Sequence, residues 1–563
     1  MELIILAIGA VFAILSGYLY NLYLRRKRIQ DILLRRFGTK PEYKEYDFDR
    51  IKILWEETRV TGCPGNIDDI TWNDLEMDKV FARINGCCSF AGEQYLYRSL
   101  RTLCFDRSKR EALERKISYM ESDREGRTDI QKKLLCIGKR ENSYHVSSFL
   151  NDLDSFKLDR SWIYYTLQLL LFLAIASSMI FRHIYAYAFL GIIFLVNMNV
   201  YALMKNRYET NIDLITALQN VLTISRKLAG NKEPVVSGIF KENLSVLHKL
   251  LKPMSFVNGR HQREYSADFM ELCGMYVTGA FLFDFVLYNR ILSDLKEHLS
   301  VVYELLDGVG ELELAVSAAS FRKSLPLYCV PKICKEGGIC YEEMYNPLLD
   351  KPVYNDFSLN GHCIITGSNA SGKSTFIKAA AINEILAMSI HTCAAKTARV
   401  SEAEVYTSMA VRDDLLAGES YFVREIKSLQ RIIEVIDQGR FVIAVIDEIL
   451  RGTNNRERIF ASSAILKYLE DKNCMVIVAS HDVELIDLLG SERYANYFFC
   501  EQAEEEEVIF DYKIHLGICE QSNAIKLLGC FGFPERIVED ANGYLREYQD
   551  KEKNAGSVCG LLF

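Results

Sequence analysis

Gly367-Ser368-Asn369-Ala370-Ser371-Gly372-Lys373-Ser374, followed by Thr375, has the spacing G-x-x-x-x-G-K-[ST]. The run stands between HCIIT, residues 362–366, which reads as a strand, and a stretch from Ser374 that reads as a helix. That is the setting a phosphate-binding loop requires. Glycines at 367 and 372 let the backbone curl, so that its N–H groups and the helix N-terminus face phosphate oxygens. Lys373 then supplies a point charge to the β- and γ-phosphates, and Ser374 offers a hydroxyl to Mg²⁺. The chemistry implied is the binding of ATP with Mg²⁺.

Two further apolar runs end in groups that suit phosphoryl chemistry. Phe441–Ile446 ends in Asp447-Glu448. An Asp there holds Mg²⁺ through water, and a Glu one residue on polarises the attacking water. Two solvated acids at a strand end are the alternative reading, but an uninterrupted apolar strand delivering two carboxylates to the edge where open α/β sheets bind ligands favours catalysis. Met475–Ala479 ends in Ser480-His481-Asp482, which puts an imidazole at the same edge, placed to sense the γ-phosphate.

Positioning these groups takes a sheet whose strands end together. From about Leu348 short β-rich runs alternate with helical ones, a pattern that predicts a mostly parallel sheet wrapped by helices. The chain before it differs. Residues 25–160 and 205–340 have helical spacing, and Asp294–Arg322 keeps apolar residues three and four apart over many turns, as a long lever helix would. Glu504–Glu507, between two strand-like stretches, reads as a solvated turn.

Three stretches are long and apolar enough to cross a bilayer. Residues 3–20 are uncharged and are followed by Arg25, Arg26, Lys27 and Arg28. A cleavable signal would carry its positive charges before the apolar run. Trp162–Met204 reads as two spans parted by Arg182 and His183, with Lys157 and Arg160 before and Lys205 and Arg207 after. The basic flanks place Met1 and Arg182 outside and the remaining segments in the cytoplasm, so that the expected location is the cell membrane, multi-pass, with the phosphate-loop domain cytoplasmic. A buried helical hairpin in a soluble core is the alternative.

A chain of 563 residues exceeds a single core. Its 49% hydrophobic content suits a few spans on a soluble body. A net charge of −8 excludes a surface coated in positive charge, so any nucleic acid would have to meet a local basic patch. The sixteen cysteines show no C-x-x-C spacing, which argues against a zinc site or a disulfide framework.

The motifs, in their order, resemble those of the ATPase domain of the MutS family. GSNASGKST resembles its phosphate loop, DDLLAGESYFVREI (413–426) its signature loop, DEILRGTNN (447–455) its acidic strand end and following loop, and ASHD (479–482) its histidine switch. More weakly, residues 311–331 followed by YNPLL resemble the family's lever helices, and Asp68–Arg101 the start of its helical core. The resemblance implies an α/β P-loop ABC-like ATPase domain joined to an all-α core and lever domain. With the apolar runs, the expected organisation is a transmembrane helix (1–24), a helical core-like region (25–160), a transmembrane hairpin (161–204), a helical lever region (205–340), the ATPase domain (341–548) and a tail (549–563).

The family's N-terminal mismatch-reading domain, with its wedge Phe and Glu, has no recognisable counterpart, and the hairpin falls near the family's DNA clamp. The resemblance further implies a composite site in which Ser420 completes the nucleotide site of a second subunit, and hence a homodimer. Gly418-Glu419-Ser420 also reads as a simple helix cap. Tyr354 and Tyr512 are candidates to stack on adenine, with a packing role open for each. The expected function is a membrane-anchored ATPase switch with sequence-independent DNA binding and no mismatch reading. The alternative is a membrane switch that acts on a protein without nucleic acid.

Overall fold

The structure is a computed structural model that describes residues 2–42, 44–60, 62–254, 276–277, 279–335, 337–368, 371–409, 421–490, 493–503, 508–518, 525, 528 and 532–559. The acidic run Glu504–Glu507 lies outside these residues. The chain forms two compact units, one of residues 1–63 and 79–326 and the other of residues 64–78 and 327–563.

The first unit is helical throughout its described residues. Helix α1 (Glu2–Arg36) carries the first apolar run in its N-terminal half. Helix α2 (Phe90–Arg101) begins at Ser89, whose hydroxyl accepts the Gly92 N–H at 3.2 Å, and buries Phe90, Leu96, Tyr97 and Leu100. Helices α3 (Trp162–Phe181) and α4 (Ile184–Ala229) form the expected hairpin, turned by Arg182 in a left-handed conformation. Trp162–Phe181 and Ile184–Lys205 are long and apolar enough to cross a membrane. They leave large apolar side chains bare on many sides, with Leu173 at 54% and Phe181 and Ile184 above 70% exposure. α4 bends at Tyr208, just past Lys205 and Arg207.

Helices α5 (Phe283–Glu297) and α6 (Leu299–Ser324) supply the long helical stretch that the spacing predicts, but the backbone leaves helical geometry at His298. α6 packs against α2 so closely that a Cβ on Gly310 would come within 2.5 Å of the Tyr95 Cβ, and one on Gly92 within 2.7 Å of the Glu313 Cβ. Only glycine permits that approach. Glu93, buried in this unit, is well partnered. The Glu93 carboxylate accepts from Asn85 at 2.8 Å, from Lys139 at 2.7 Å and from the Tyr144 hydroxyl. Burial pushes the neighbouring Glu313 carboxyl up to about 7.

The second unit contains two sheets. Ten strands are described: β1 (Lys332–Cys334), β2 (Ile339–Met344), β3 (Asn355–Leu359), β4 (His362–Thr366), β5 (Thr397–Ser401), β6 (Glu404–Ser408), β7 (Val442–Asp447), β8 (Cys474–Ala479), β9 (Tyr494–Ala503) and β10 (Val508–Leu516). Six form a sheet in the order β10-β9-β4-β8-β7-β6, parallel except for the β9–β10 pair. Its central strands are apolar without alternation because both faces are covered. The other four form a smaller mixed sheet, β1-β5-β2-β3, which the alternation of the sequence did not announce. Helices α7 (Lys373–Ile390), α8 (Tyr421–Asp437) and α9 (Asn455–Glu470) connect the strands, and α10 (Glu535–Cys559) follows them.

A short helix from far upstream, Asp69–Asp74, belongs to this unit. Thr71 Oγ1 accepts the Thr407 N–H at 3.2 Å, and Asp74 Oδ2 accepts the Thr407 hydroxyl at 2.7 Å and the Met409 N–H at 3.1 Å. Arg431 of α8 reaches Asp68 at 2.6 Å. These bonds occupy the outer edge of β6, which ends the sheet among the described residues.

Inside α7, Glu384 is buried and accepts a 3.0 Å bond from the equally buried Tyr341 hydroxyl. Burial raises its carboxyl from 4.5 to about 8, so the folded state keeps a proton that the unfolded chain releases. Stability from this group is therefore full below about pH 4.5, falls by at most about 1.4 kcal/mol per pH unit up to about pH 8, and is constant beyond. Glu384→Gln keeps a neutral acceptor for Tyr341 and removes that loss. The Tm of the variant relative to the parent is expected to rise steadily from about pH 5 to about pH 8. A Tm difference that stays flat over that range would show that Glu384 is not held protonated.

Candidate active site

The three sequence-predicted strand ends meet at one edge of the six-stranded sheet. Strand β4 pairs with β8 through Ile365 and Ala479, and β8 pairs with β7 through Ala479 and Asp447. The Ser480 N–H extends the ladder to the Ile365 carbonyl at 3.0 Å, and the Glu448 N–H to the Ala479 carbonyl at 2.9 Å. Gly367, Asp447, Glu448 and His481 thus leave the sheet side by side.

The loop that follows β4 has the backbone that its sequence requires. Gly367 and Gly372 both have positive φ, 141° and 102°. A Cβ on Gly367 would come within 2.8 Å of the Phe499 carbonyl, and one on Gly372 within 3.0 Å of the Tyr512 ring. Ser371 donates to the Ser368 carbonyl at 2.7 Å through its hydroxyl. Lys373 is 3% exposed and folds its ammonium onto the Gly367 and Ser368 carbonyls, the latter at 2.7 Å. Ser374 and Thr375 are exposed in the first turn of α7. Asn369, Ala370 and residues 413–420 of the signature loop, Ser420 among them, lie outside the described residues.

At the end of β7, burial pushes the Asp447 carboxyl up. The hydrogen bond from Ser374 opposes this, and the neighbouring Glu448 charge adds to it. Glu448 sits in the left-handed region at φ 59°, which a non-glycine residue adopts only where its surroundings hold it. Its carboxylate meets His481 Nδ1 at 3.2 Å and Arg451 Nε at 3.0 Å. Asp482, next to the histidine, is fixed by a two-pronged pair with Arg458 of α9, at 2.9 and 2.6 Å.

ATP and Mg²⁺ suit this arrangement. The loop presents a cation and a glycine cradle that any side chain would fill, and Ser374 and Asp447 already share a hydrogen bond. No cluster of three metal-ligating side chains occurs among the described residues. Mg²⁺ takes one or two protein ligands and draws the rest from phosphate and water. When bound, Mg²⁺ would neutralise charge developing on the phosphates.

Beside the loop lies a cavity of about 310 Å³, lined by Tyr345, Lys351, Asn355, Gly372, Thr375 and Tyr512 among others, a size suited to a small ligand. Tyr512 sits on a register shift in β10 at φ 53°. Asn355 braces it, donating to the Tyr512 carbonyl at 3.1 Å and accepting from the Ile514 N–H at 2.8 Å. Tyr354 does not line the cavity. Its ring packs edge-on against Tyr345 at 5.4 Å.

Sequence reasoning missed several groups. Glu425 of α8 is buried and accepts the N–H groups of Arg451 at 2.9 Å and Gly452 at 3.4 Å, which pins the turn after Glu448. It lies inside the DDLLAGESYFVREI stretch, yet its spacing to residue 451 carries no signal. Asn355, Arg451 and Arg458 likewise become legible only when distant segments meet.

The profile of MutS domain V matches residues 363–549, the part that carries this sheet edge. Over those residues the chain is similar to MutS domain V. It is 25% identical over 279 residues to the DNA mismatch repair protein MutS of Thermotoga maritima, 27% over 281 residues to that of Fusobacterium nucleatum subsp. nucleatum, and 27% over 275 residues to MutS protein homolog 4 of Homo sapiens. These matches cover 48%, 48% and 46% of this chain and 35%, 31% and 29% of the relatives, so the chain spans about a third of the length of the curated relatives it matches.

The placement of the two tyrosines gives them different expected effects. Tyr512→Ala is expected to weaken adenine-nucleotide binding by at least about fivefold, as removal of an aromatic base-stacking partner does, at roughly 1–3 kcal/mol. Tyr354→Ala should leave affinity near that of the parent. Titration with a fluorescent ATP analogue checks both, and equal losses would place the base elsewhere.

Proposed function

We propose that this chain is a membrane-anchored ATPase in which ATP binding and hydrolysis drive a dimeric conformational switch that acts on DNA without reading mismatches. The observation that carries the reading is the convergence of the Lys373 loop, the Ser374–Asp447 pair and the Glu448–His481 pair on one sheet edge. In this proposal Lys373 and the loop N–H groups bind the phosphates, Ser374 and Asp447 hold Mg²⁺, and Glu448 accepts a proton from the attacking water. His481, touching Glu448, orients that carboxylate and senses the γ-phosphate. Glu425 acts as a positioning residue, through the turn that follows Glu448. Ser420 completes the site of a second copy.

Membrane anchoring is supported by the bare apolar surface of α3 and α4, which a soluble core helix would bury. The first half of α1 serves as a third span in this proposal. The basic residues that flank these spans orient both units toward the cytoplasm. The DNA component draws on the relatives named for DNA mismatch repair. The net charge of −8 leaves affinity to local Lys and Arg contacts with the backbone.

Lys373→Ala is expected to abolish ATP binding, and Glu448→Ala to retain binding while lowering turnover by at least about 100-fold. Wild-type turnover in Glu448→Ala would remove that residue as the base. On DNA, the detergent-solubilised protein is expected to bind homoduplex and mismatched duplex equally, and to lose at least about tenfold in affinity between about 50 and 200 mM salt. Mismatch selectivity would overturn the account of what is read. Absence of binding at low salt would leave a membrane switch that acts on a protein.

A further inference from the structure

Residues just before α5 lie against the middle of the hairpin. Ala280 is buried in one apolar cluster with Leu171 and Ala174 of α3 and Ile193 of α4. Successive contacts show how it gets there. Asn289 exchanges hydrogen bonds with Leu158 at 2.8 and 3.0 Å, ahead of α3. The Tyr165 hydroxyl donates to the Val286 carbonyl at 2.9 Å, and Phe285 stacks on Tyr164 at 5.2 Å. Phe281 then meets Phe172 at 5.3 Å. From residue 289 back to residue 280 the chain therefore climbs α3 from its entry to its middle. The start of α3 and Leu171 are roughly 14 Å apart at 1.5 Å per residue, about half of a ~30 Å hydrocarbon layer.

The backbone on this path is broken, which lipid does not tolerate unless the freed groups find protein partners. Leu282 adopts φ 52° between helical residues 279–281 and α5. Beside that break, the wholly buried Asn197 of α4 donates from Nδ2 to the Ala280 carbonyl at 2.7 Å. Asp284, also fully buried, accepts from the Tyr201 hydroxyl at 3.0 Å, and Lys205 stands 3.2 Å from that same hydroxyl. Asn197 of α4 and Asp284 of α5 thus each place a buried polar group on the contact between these two helices. They hold the non-helical turn at Leu282 against the hairpin. Tyr276 and Val277, just before this path, are about half exposed.

Helix Leu244–Met254 packs against α5, so the chain stands on the same side before and after this segment. We propose that residues 279–286 are a re-entrant membrane element, docked on the α3–α4 hairpin through Asn197 and Asp284, with Tyr276 and Val277 facing lipid acyl chains. This rests on the membrane reading of the hairpin. Because α5 and α6 follow directly, the lever is seated in the bilayer at its base as well as attached to the hairpin.

The test uses the full chain in lipid nanodiscs, with a genetically encoded environment-sensitive fluorescent amino acid at one exposed position at a time: Val277, Leu173 of mid-α3, or Arg290 on the cytoplasmic part of α5. Lipids doxyl-labelled along the acyl chain are expected to quench Val277 and Leu173 alike and to spare Arg290, while aqueous iodide does the reverse. Asn197→Leu, which keeps the hairpin apolar, is expected to shift Val277 toward iodide quenching and leave Leu173 unchanged. If Val277 behaves like Arg290 while Leu173 is quenched from lipid, the re-entrant element is overturned and the hairpin stands. If Leu173 is itself quenched by iodide and spared by lipid, the membrane reading falls and this inference with it.

Discussion

The hydrogen-bonded register Ile365–Ala479–Asp447 is the constraint on which the site depends. A parallel sheet delivers all its strands to one edge, and a one-residue slip would turn every side chain to the opposite face. With Ala479 paired to both neighbours, the chain leaves β4 into the glycine loop, β7 into two carboxylates and β8 into the Ser-His-Asp turn at one level. The apolar residues that fill both faces make the register costly to change, since a slip would exchange packed for exposed surface along three strands. Once the ladder is set, Lys373, Asp447 and Glu448 have no freedom to lie apart.

What was legible in the sequence follows from this. Strands buried on both faces read as uninterrupted apolar runs, and a run that ends in functional residues marks the edge of the sheet. HCIIT, VIAVID and CMVIVA appear as β4, β7 and β8 with small changes at their ends. The loop glycines were legible because positive φ and close approach exclude other residues. Local rules sufficed wherever neighbours in sequence are neighbours in space.

Contacts between distant segments were not legible. Nothing in Asp68–Asp78 announces that it docks on β6, because Thr71 and Asp74 acquire meaning only from the Thr407 and Met409 groups they meet more than 300 positions later. The different settings of Tyr354 and Tyr512 likewise rest on a register shift in β10 and on Asn355 of the other sheet. The break at His298 interrupts a stretch whose apolar spacing is that of one helix, since periodicity reports which face is buried and says little about continuity.

The two units are joined by the chain at three points, 63–64, 78–79 and 326–327. The last follows α6 after two residues, which makes it a single covalent lever. The other two flank the short helix whose Thr71 and Asp74 bond to Thr407 and Met409, while Asp68 pairs with Arg431 of α8, the helix that also carries Glu425. Glu425 holds the turn beyond Glu448. The segment 64–78 is held to α8 by a charged pair and to β6 and Met409 by the side chains of Thr71 and Asp74, and it is tied by peptide bonds at both ends to the helical unit. Its links to the first unit are covalent, and those within the second are hydrogen bonds and an ion pair.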